Sequence, residues 1–162
     1  MRSFVPLVIA AALLSAVSYL AVTPYFAFGG LLNAAAWNDD AALARSVDYE
    51  ALRTSVARQL RSDAAAASGA LAGLTEAFAT GLSDAAADAI ATPEGVRELL
   101  GFGPLSNWVV ADVRAMHDQA ARRYRAWDRF EVSVARHHLT DGPLTYVFER
   151  RGLGWRLTGI QR

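Results

Sequence analysis

The chain has 162 residues, 16 basic and 16 acidic side chains, and no cysteine. The missing cysteines exclude a disulfide scaffold, a CxxC redox centre and a Cys-ligated metal site, and a zero net charge argues against a nucleic-acid binder. Hydrophobic residues make up 53%. One N-terminal segment holds much of that excess, and outside it about 130 residues remain, enough for one small domain with its own core.

No residue between Arg2 and Asp39 is charged, and residues 4–28 (FVPLVIAAALLSAVSYLAVTPYFAF) are almost wholly apolar. A helix that crosses a bilayer needs about 20 such residues. Pro6 falls in the first turn, where proline is tolerated, and Pro24 at the far end, where a kink does little harm. Tyr19, Tyr25 and Phe26 suit the outer membrane–water interface. The segment reads as a transmembrane anchor over residues 1–28. Arg2 on the short side favours an N-terminus inside, which places residues 29–162 in the periplasm of a bacterial inner membrane. The bacterial source is read from the codon bias of a GC-rich genome, since all basic residues are Arg and 33 residues are Ala. The alternatives are a signal peptide cleaved near Ser18, after the small residues Ala16 and Val17, and a buried soluble helix.

After the Gly29–Gly30 pair come good helix formers, and then Asn38, Asp39 and Asp40 offer cap chemistry for a short helix, AALARSV. Asp48 opens a second helix whose apolar positions Tyr49, Leu52, Val56 and Leu60 recur at three- and four-residue spacing. Residues 64–73 are close to low complexity and fit a helix or a connector. Leu71, Leu74, Phe78 and Leu82 mark another helical stripe. Thr92 is an N-cap with Pro93 at the first helical position, and Gly101, Gly103 and Pro104 end that helix. Residues 106–126 are read as helix on Val109, Val113, Met116 and Ala120, with a short strand at Trp108 as the alternative.

Beyond Trp127 the period changes to two. Phe130, Val132 and Val134 alternate with Glu131, Ser133 and Ala135, and LTYVFER follows a turn at Asp141-Gly142-Pro143. Leu153, Trp155 and Leu157 then alternate after a turn at Arg151-Gly152. The class is therefore α+β. Residues 29–126 are mainly helical and pack on an antiparallel meander of three or more strands over residues 127–162.

Five pieces in this order resemble an uncharacterised family of membrane-anchored proteobacterial proteins known only as a domain of unknown function. They are the anchor ending in TPYFAF, NDDAALARSVDYEALRTSVARQL, ATPEGVRELL, DRFEVSV and FERRGLGWRLTGI. The resemblance covers residues 23–161 and implies no catalytic residues. NDDAAL and GWRL are also similar to the helix start and last strand of the nuclear-transport-factor-2-like and cystatin-like superfamilies. That likeness implies a curved sheet behind an alanine-rich helix and leaves function open.

Few residues carry chemistry. On a strand, adjacent His137 and His138 would point to opposite faces and could not readily share one ion. His117 and Asp118 stand apart from them with no ligand spacing. Asp128 with Tyr124, Tyr146 or His117 has the residue types of a proton-shuttling isomerase or cyclase pocket, though element ends usually hold polar residues for structural reasons. Arg122, Arg123, Arg125 and Arg129 form the densest basic cluster. The first hundred residues hold six Arg and ten acids, the remainder ten Arg and six acids, so the two parts complement each other or steer an acidic partner or anionic lipid. Trp127 and Trp155 read as core anchors. No phosphate loop or nucleophile elbow is present. The expectation is a non-enzymatic, membrane-anchored protein with no cofactor, metal or nucleic acid. Its domain would bind a protein, lipid or small ligand. The alternatives are the Asp128-centred enzyme and an adaptor that self-associates.

Overall fold

In the computed structural model the charge-free N-terminus forms one helix, α1 (Val5–Ala36), 32 residues long, or about 48 Å. The structure describes residues 5–67, 72–103, 115, 118–135 and 142–161. The two halves of α1 have different surroundings. Leu7, Val8, Ile9, Leu13 and Leu14 are more than half exposed, whereas Phe28, Leu31, Ala34 and Ala35 are buried in the domain core. Pro24 lies inside the helix, which continues through both glycines. Asn38 ends it in the left-handed conformation (φ 54°), a conformation asparagine tolerates. The Asp39 amide then donates to the Ala34 carbonyl (2.9 Å) and the Asn38 amide to that of Ala35 (3.3 Å), a Schellman closure of the last turn.

Three of the anticipated helix starts are capped as their residue types require. Asp39 accepts from the Ala42 amide ahead of α2 (Asp40–Ser46). Asp48 accepts from the Ala51 amide (3.1 Å) at the head of α3 (Tyr49–Ala67). Thr92 accepts from the Gly95 amide (3.0 Å) ahead of α5 (Pro93–Leu99). On α3, Leu52 and Val56 are fully buried and Tyr49 and Leu60 pack beside them. The next helix, α4 (Ala72–Ile90), runs antiparallel to α3, and the pairs Arg53–Asp88 and Arg61–Asp84 fasten the two. Leu82, anticipated on a packing stripe, is exposed.

The sheet is a four-stranded antiparallel meander in the order β1 (Ala121–Ala126), β2 (Arg129–Val134), β3 (Leu144–Arg151), β4 (Gly154–Gln161). Two rows of facing residues define its inner surface: Tyr124, Phe130, Phe148 and Leu157, then Arg122, Val132, Tyr146 and Ile160. The second half of α1 lies on this surface. Phe28 meets Tyr146 and Phe148 at ring separations of 6.1 and 5.9 Å, and Tyr25 meets Phe130 edge-on at 5.0 Å. The outer edge of β4 is met at Leu157: Val47 bridges it, and the Asp48 amide donates to its carbonyl, which shortens the edge open to foreign strands. Gly159 lies directly beneath Ser55 of α3, where a β-carbon would collide with that side chain.

Three expectations are corrected. Helix was expected over residues 106–126, but residues 121–126 are the strand β1; residues 104–114, 116 and 117 lie outside the described set. The strand signal there is a period-two pattern whose inward side holds Arg122 and Tyr124, a single apolar member, with Arg123 and Arg125 outward. Trp127 is 76% exposed, not a core anchor, and Leu153 is 83% exposed, not on the buried strand face. Both occupy the tips of two-residue turns, 127–128 and 152–153, which no layer covers. Gly152 supplies the positive φ (66°) of the second turn. Trp155 is buried as expected.

Trp155→Ala in the full chain is expected to cost about 3–5 kcal/mol, whereas Trp127→Ala should stay within about 0.5 kcal/mol. Chemical unfolding of the detergent-solubilised protein, followed by near-UV circular dichroism, compares the two.

Candidate functional site

A cluster of specific polar contacts lies where α1 changes surroundings. Pro24 has no N–H, so the Leu20 carbonyl one turn earlier loses its helical donor. Three side chains reach it: Thr23 Oγ1 at 2.9 Å, Arg150 Nη2 at 3.3 Å and the Tyr124 hydroxyl at 3.4 Å. Tyr124 makes its shorter contact, 2.9 Å, to the Ala21 carbonyl. Thr23 Oγ1 in turn accepts from the Trp155 indole N–H at 3.0 Å. The Arg150 guanidinium stacks over the Trp155 ring, 4.7 Å from its centre. Trp155, Phe130 and Tyr124 pack edge to face at 5.2–6.3 Å. Residues from β1, β3 and β4 thus close a clasp around the proline turn of α1. Burial raises the Tyr124 hydroxyl above the usual tyrosine range, which keeps it a donor.

On the other sheet face, α3 and the outward residues of β3 and β4 enclose an open groove of about 410 Å³. Asp48, Glu50, Arg58, Arg129 and Glu149 line it with both signs of charge. Three of these five charges are engaged in the fold: Asp48 caps α3 and pairs with Arg151 (3.2 Å), Glu149 pairs with Arg151 (3.1 Å), and Arg129 pairs with Glu131 (3.3 Å). Among the described residues no group of three or more His, Cys, Asp or Glu has metal-binding spacing.

The residues proposed for an Asp128-centred pocket are not brought together. Asp128 is in the β1–β2 turn, where its carbonyl accepts from the Arg150 amide. The Tyr146 hydroxyl is buried and donates to the Leu99 carbonyl at 3.1 Å, joining the end of α5 to the sheet. Tyr124 serves α1. His117, His137 and His138 lie outside the described residues, and Asp118 is exposed before β1. Of the basic cluster, Arg125 and Arg129 close over the buried Glu131 at 2.6 and 3.3 Å, and Arg122 lies 5.9 Å from the centre of the Phe28 ring. Sequence reasoning missed Thr23, Arg150 and the role of Tyr124. The usable signal was Pro24 inside an apolar run too long to end there, since a freed carbonyl in such a helix requires a donor from elsewhere.

A family model described as a protein of unknown function (DUF2939) matches residues 13–99. The chain belongs to that family. The matched region holds the clasp's α1 residues and the helical layer, and ends before the sheet. No curated protein and no solved structure matches the chain.

Tyr124→Phe is expected to lower stability by about 1–2 kcal/mol, because it removes the 2.9 Å bond to the Ala21 carbonyl and one of the three donors that reach Leu20. In a Pro24→Ala background the restored amide supplies Leu20, so the loss should shrink, with a coupling of at least about 0.5 kcal/mol in a double-mutant cycle. Alkaline pH tests the buried Tyr146, whose hydroxyl desolvation pushes far up. The folded state holds this proton above pH of about 10, where the unfolded state releases it. Stability is therefore complete below about pH 10 and falls above it, by up to about 1.4 kcal/mol per pH unit. Denaturation midpoints should show that slope, and Tyr146→Phe should flatten it.

Proposed function

We propose that this member of a family of unknown function is a single-pass membrane protein whose α+β domain stands directly on the bilayer and binds a protein, lipid or small ligand there. One observation carries the reading: a single unbroken helix is apolar and exposed in its first half and part of the core in its second. It is apolar and long enough to cross a membrane. An exposed helix without charge is unstable in water and stable in lipid. The clasp supports the same reading, because a freed carbonyl near hydrocarbon costs several kcal/mol unless it is paired.

Arg2 favours a domain outside the cytoplasm, and the bacterial periplasm is the compartment we assign. The groove over β3 and β4 is the binding surface we favour, since it presents charges of both signs to a polar ligand. A long helix laid across a bulged meander also fits the likeness to the nuclear-transport-factor-2-like and cystatin-like superfamilies. We assign no catalytic step, as Tyr124, Tyr146 and Asp128 each serve a different structural contact.

Extraction of membranes with alkaline carbonate tests the anchor. The full chain should stay in the pellet at its intact mass. Release into the supernatant, or a fragment that begins after Ser18, overturns it. Truncation separates the two halves of α1. A chain that begins at residue 19 should be released from membranes and still unfold cooperatively. One that begins at residue 30 lacks Thr23 and Phe28 and should not fold.

A further inference from the structure

The sheet's four strands fix which of its ends faces the anchor. In a meander the β1–β2 and β3–β4 turns share one end, and the β2–β3 connection lies at the other. Toward the first end, α1 is met through Leu20 to Thr23 by Tyr124, Arg150 and Trp155. Toward the other end Phe28 meets Tyr146. Moving toward the N-terminus along α1 is therefore moving toward the two turn tips. These tips carry Trp127 and Leu153, among the most exposed large apolar residues of the chain. Arg125, Arg151 and Arg156 flank them, all substantially exposed. The strands and tight turns over residues 121–134 and 144–161 hold seven Arg and three acids.

A tryptophan and a leucine at uncovered tips, flanked by arginines and on the side of the lipid-suited half-helix, are the elements of an interfacial contact. Indole rings favour the headgroup level, and basic residues near the surface are drawn to anionic lipid. We propose that the β1–β2 and β3–β4 tips are seated in the bilayer interface, Trp127 and Leu153 at the headgroup–acyl boundary and the flanking arginines against anionic headgroups. The sheet then stands end-on to the membrane, held by α1 through the bilayer and by the tips at its surface. This rests on the anchor reading, and the test separates the two.

The cysteine-free full chain accepts single cysteines at Leu13, Trp127, Leu153 and Gly142, one per variant, each labelled with an environment-sensitive fluorophore. The protein is reconstituted into phosphatidylcholine vesicles with and without phosphatidylglycerol, and a lipid-borne quencher is added. Quenching at positions 13, 127 and 153 but not at 142, with that at 127 and 153 strengthened by phosphatidylglycerol and weakened by salt, is the expected result. Arg156→Gln should lower the seated-to-unseated ratio at position 153 by about 5-fold in anionic vesicles. Quenching at 13 with positions 127 and 153 left in water keeps the anchor and overturns the seating. No quenching at 13 overturns both. Equal quenching at 142 and 153 overturns the end-on orientation, and an unchanged ratio in Arg156→Gln overturns the role given to anionic lipid.

Discussion

One missing hydrogen makes a demand that much of the arrangement around it answers. Pro24 leaves the Leu20 carbonyl without its helical donor, in a helix with no charged side chain of its own to help. The supply comes from Thr23 on α1 and from Tyr124 and Arg150 on the sheet. Trp155 completes it, donating to Thr23 and stacking on Arg150. Tyr124, Arg150 and Trp155 fix α1 against β1, β3 and β4 in turn. The register of the helix on the sheet is therefore set by polar geometry as well as by the fit of Phe28 between Tyr146 and Phe148. Apolar packing alone tolerates sliding and repacking better than a directional hydrogen bond does.

The same clasp lies at a change of surroundings. On its N-terminal side α1 exposes leucine, valine and isoleucine; on its C-terminal side it buries phenylalanine, leucine and alanine. Small residues at Ala34 and Ala35 let α1 approach its neighbours closely, and Asn38 turns the chain into α2. No hinge separates the apolar half from the core. A helix shared in this way couples the two parts, because a change in tilt or rotation of one is transmitted directly to the other.

Much of the fold was legible in the sequence. Asp39, Asp48 and Thr92 marked helix starts because short polar side chains satisfy the first amides of a helix wherever they occur. The alternation in β2 and the stripe Leu52–Val56 were visible because burial on one face enforces a period. The elements that escaped were those whose identity depends on a distant partner. β1 has a single inward aromatic and becomes a strand because β2 offers it an edge. Trp127 and Leu153 look like core residues by type, yet turn tips leave them uncovered. The clasp was illegible for the same reason: residues 20 and 150 are brought together only by the meander, and only the proline hinted that a donor was needed.

The two faces of the sheet are used differently, and that asymmetry bears on how the domain works. The inner face is consumed by α1 and its aromatic contacts. The outer face carries Val147 and Glu149 into the groove beside α3, with Arg151 tied to both Asp48 and Glu149 at one end. That end is the end of the turn tips. A groove built on strands that α1 holds in fixed register cannot reorient freely with respect to the helix. The direction of that surface is set by α1, so the clasp at Pro24 governs the presentation of the groove without contributing to its lining. In a domain tethered by a flexible linker the position of such a groove is free; here one helix determines it.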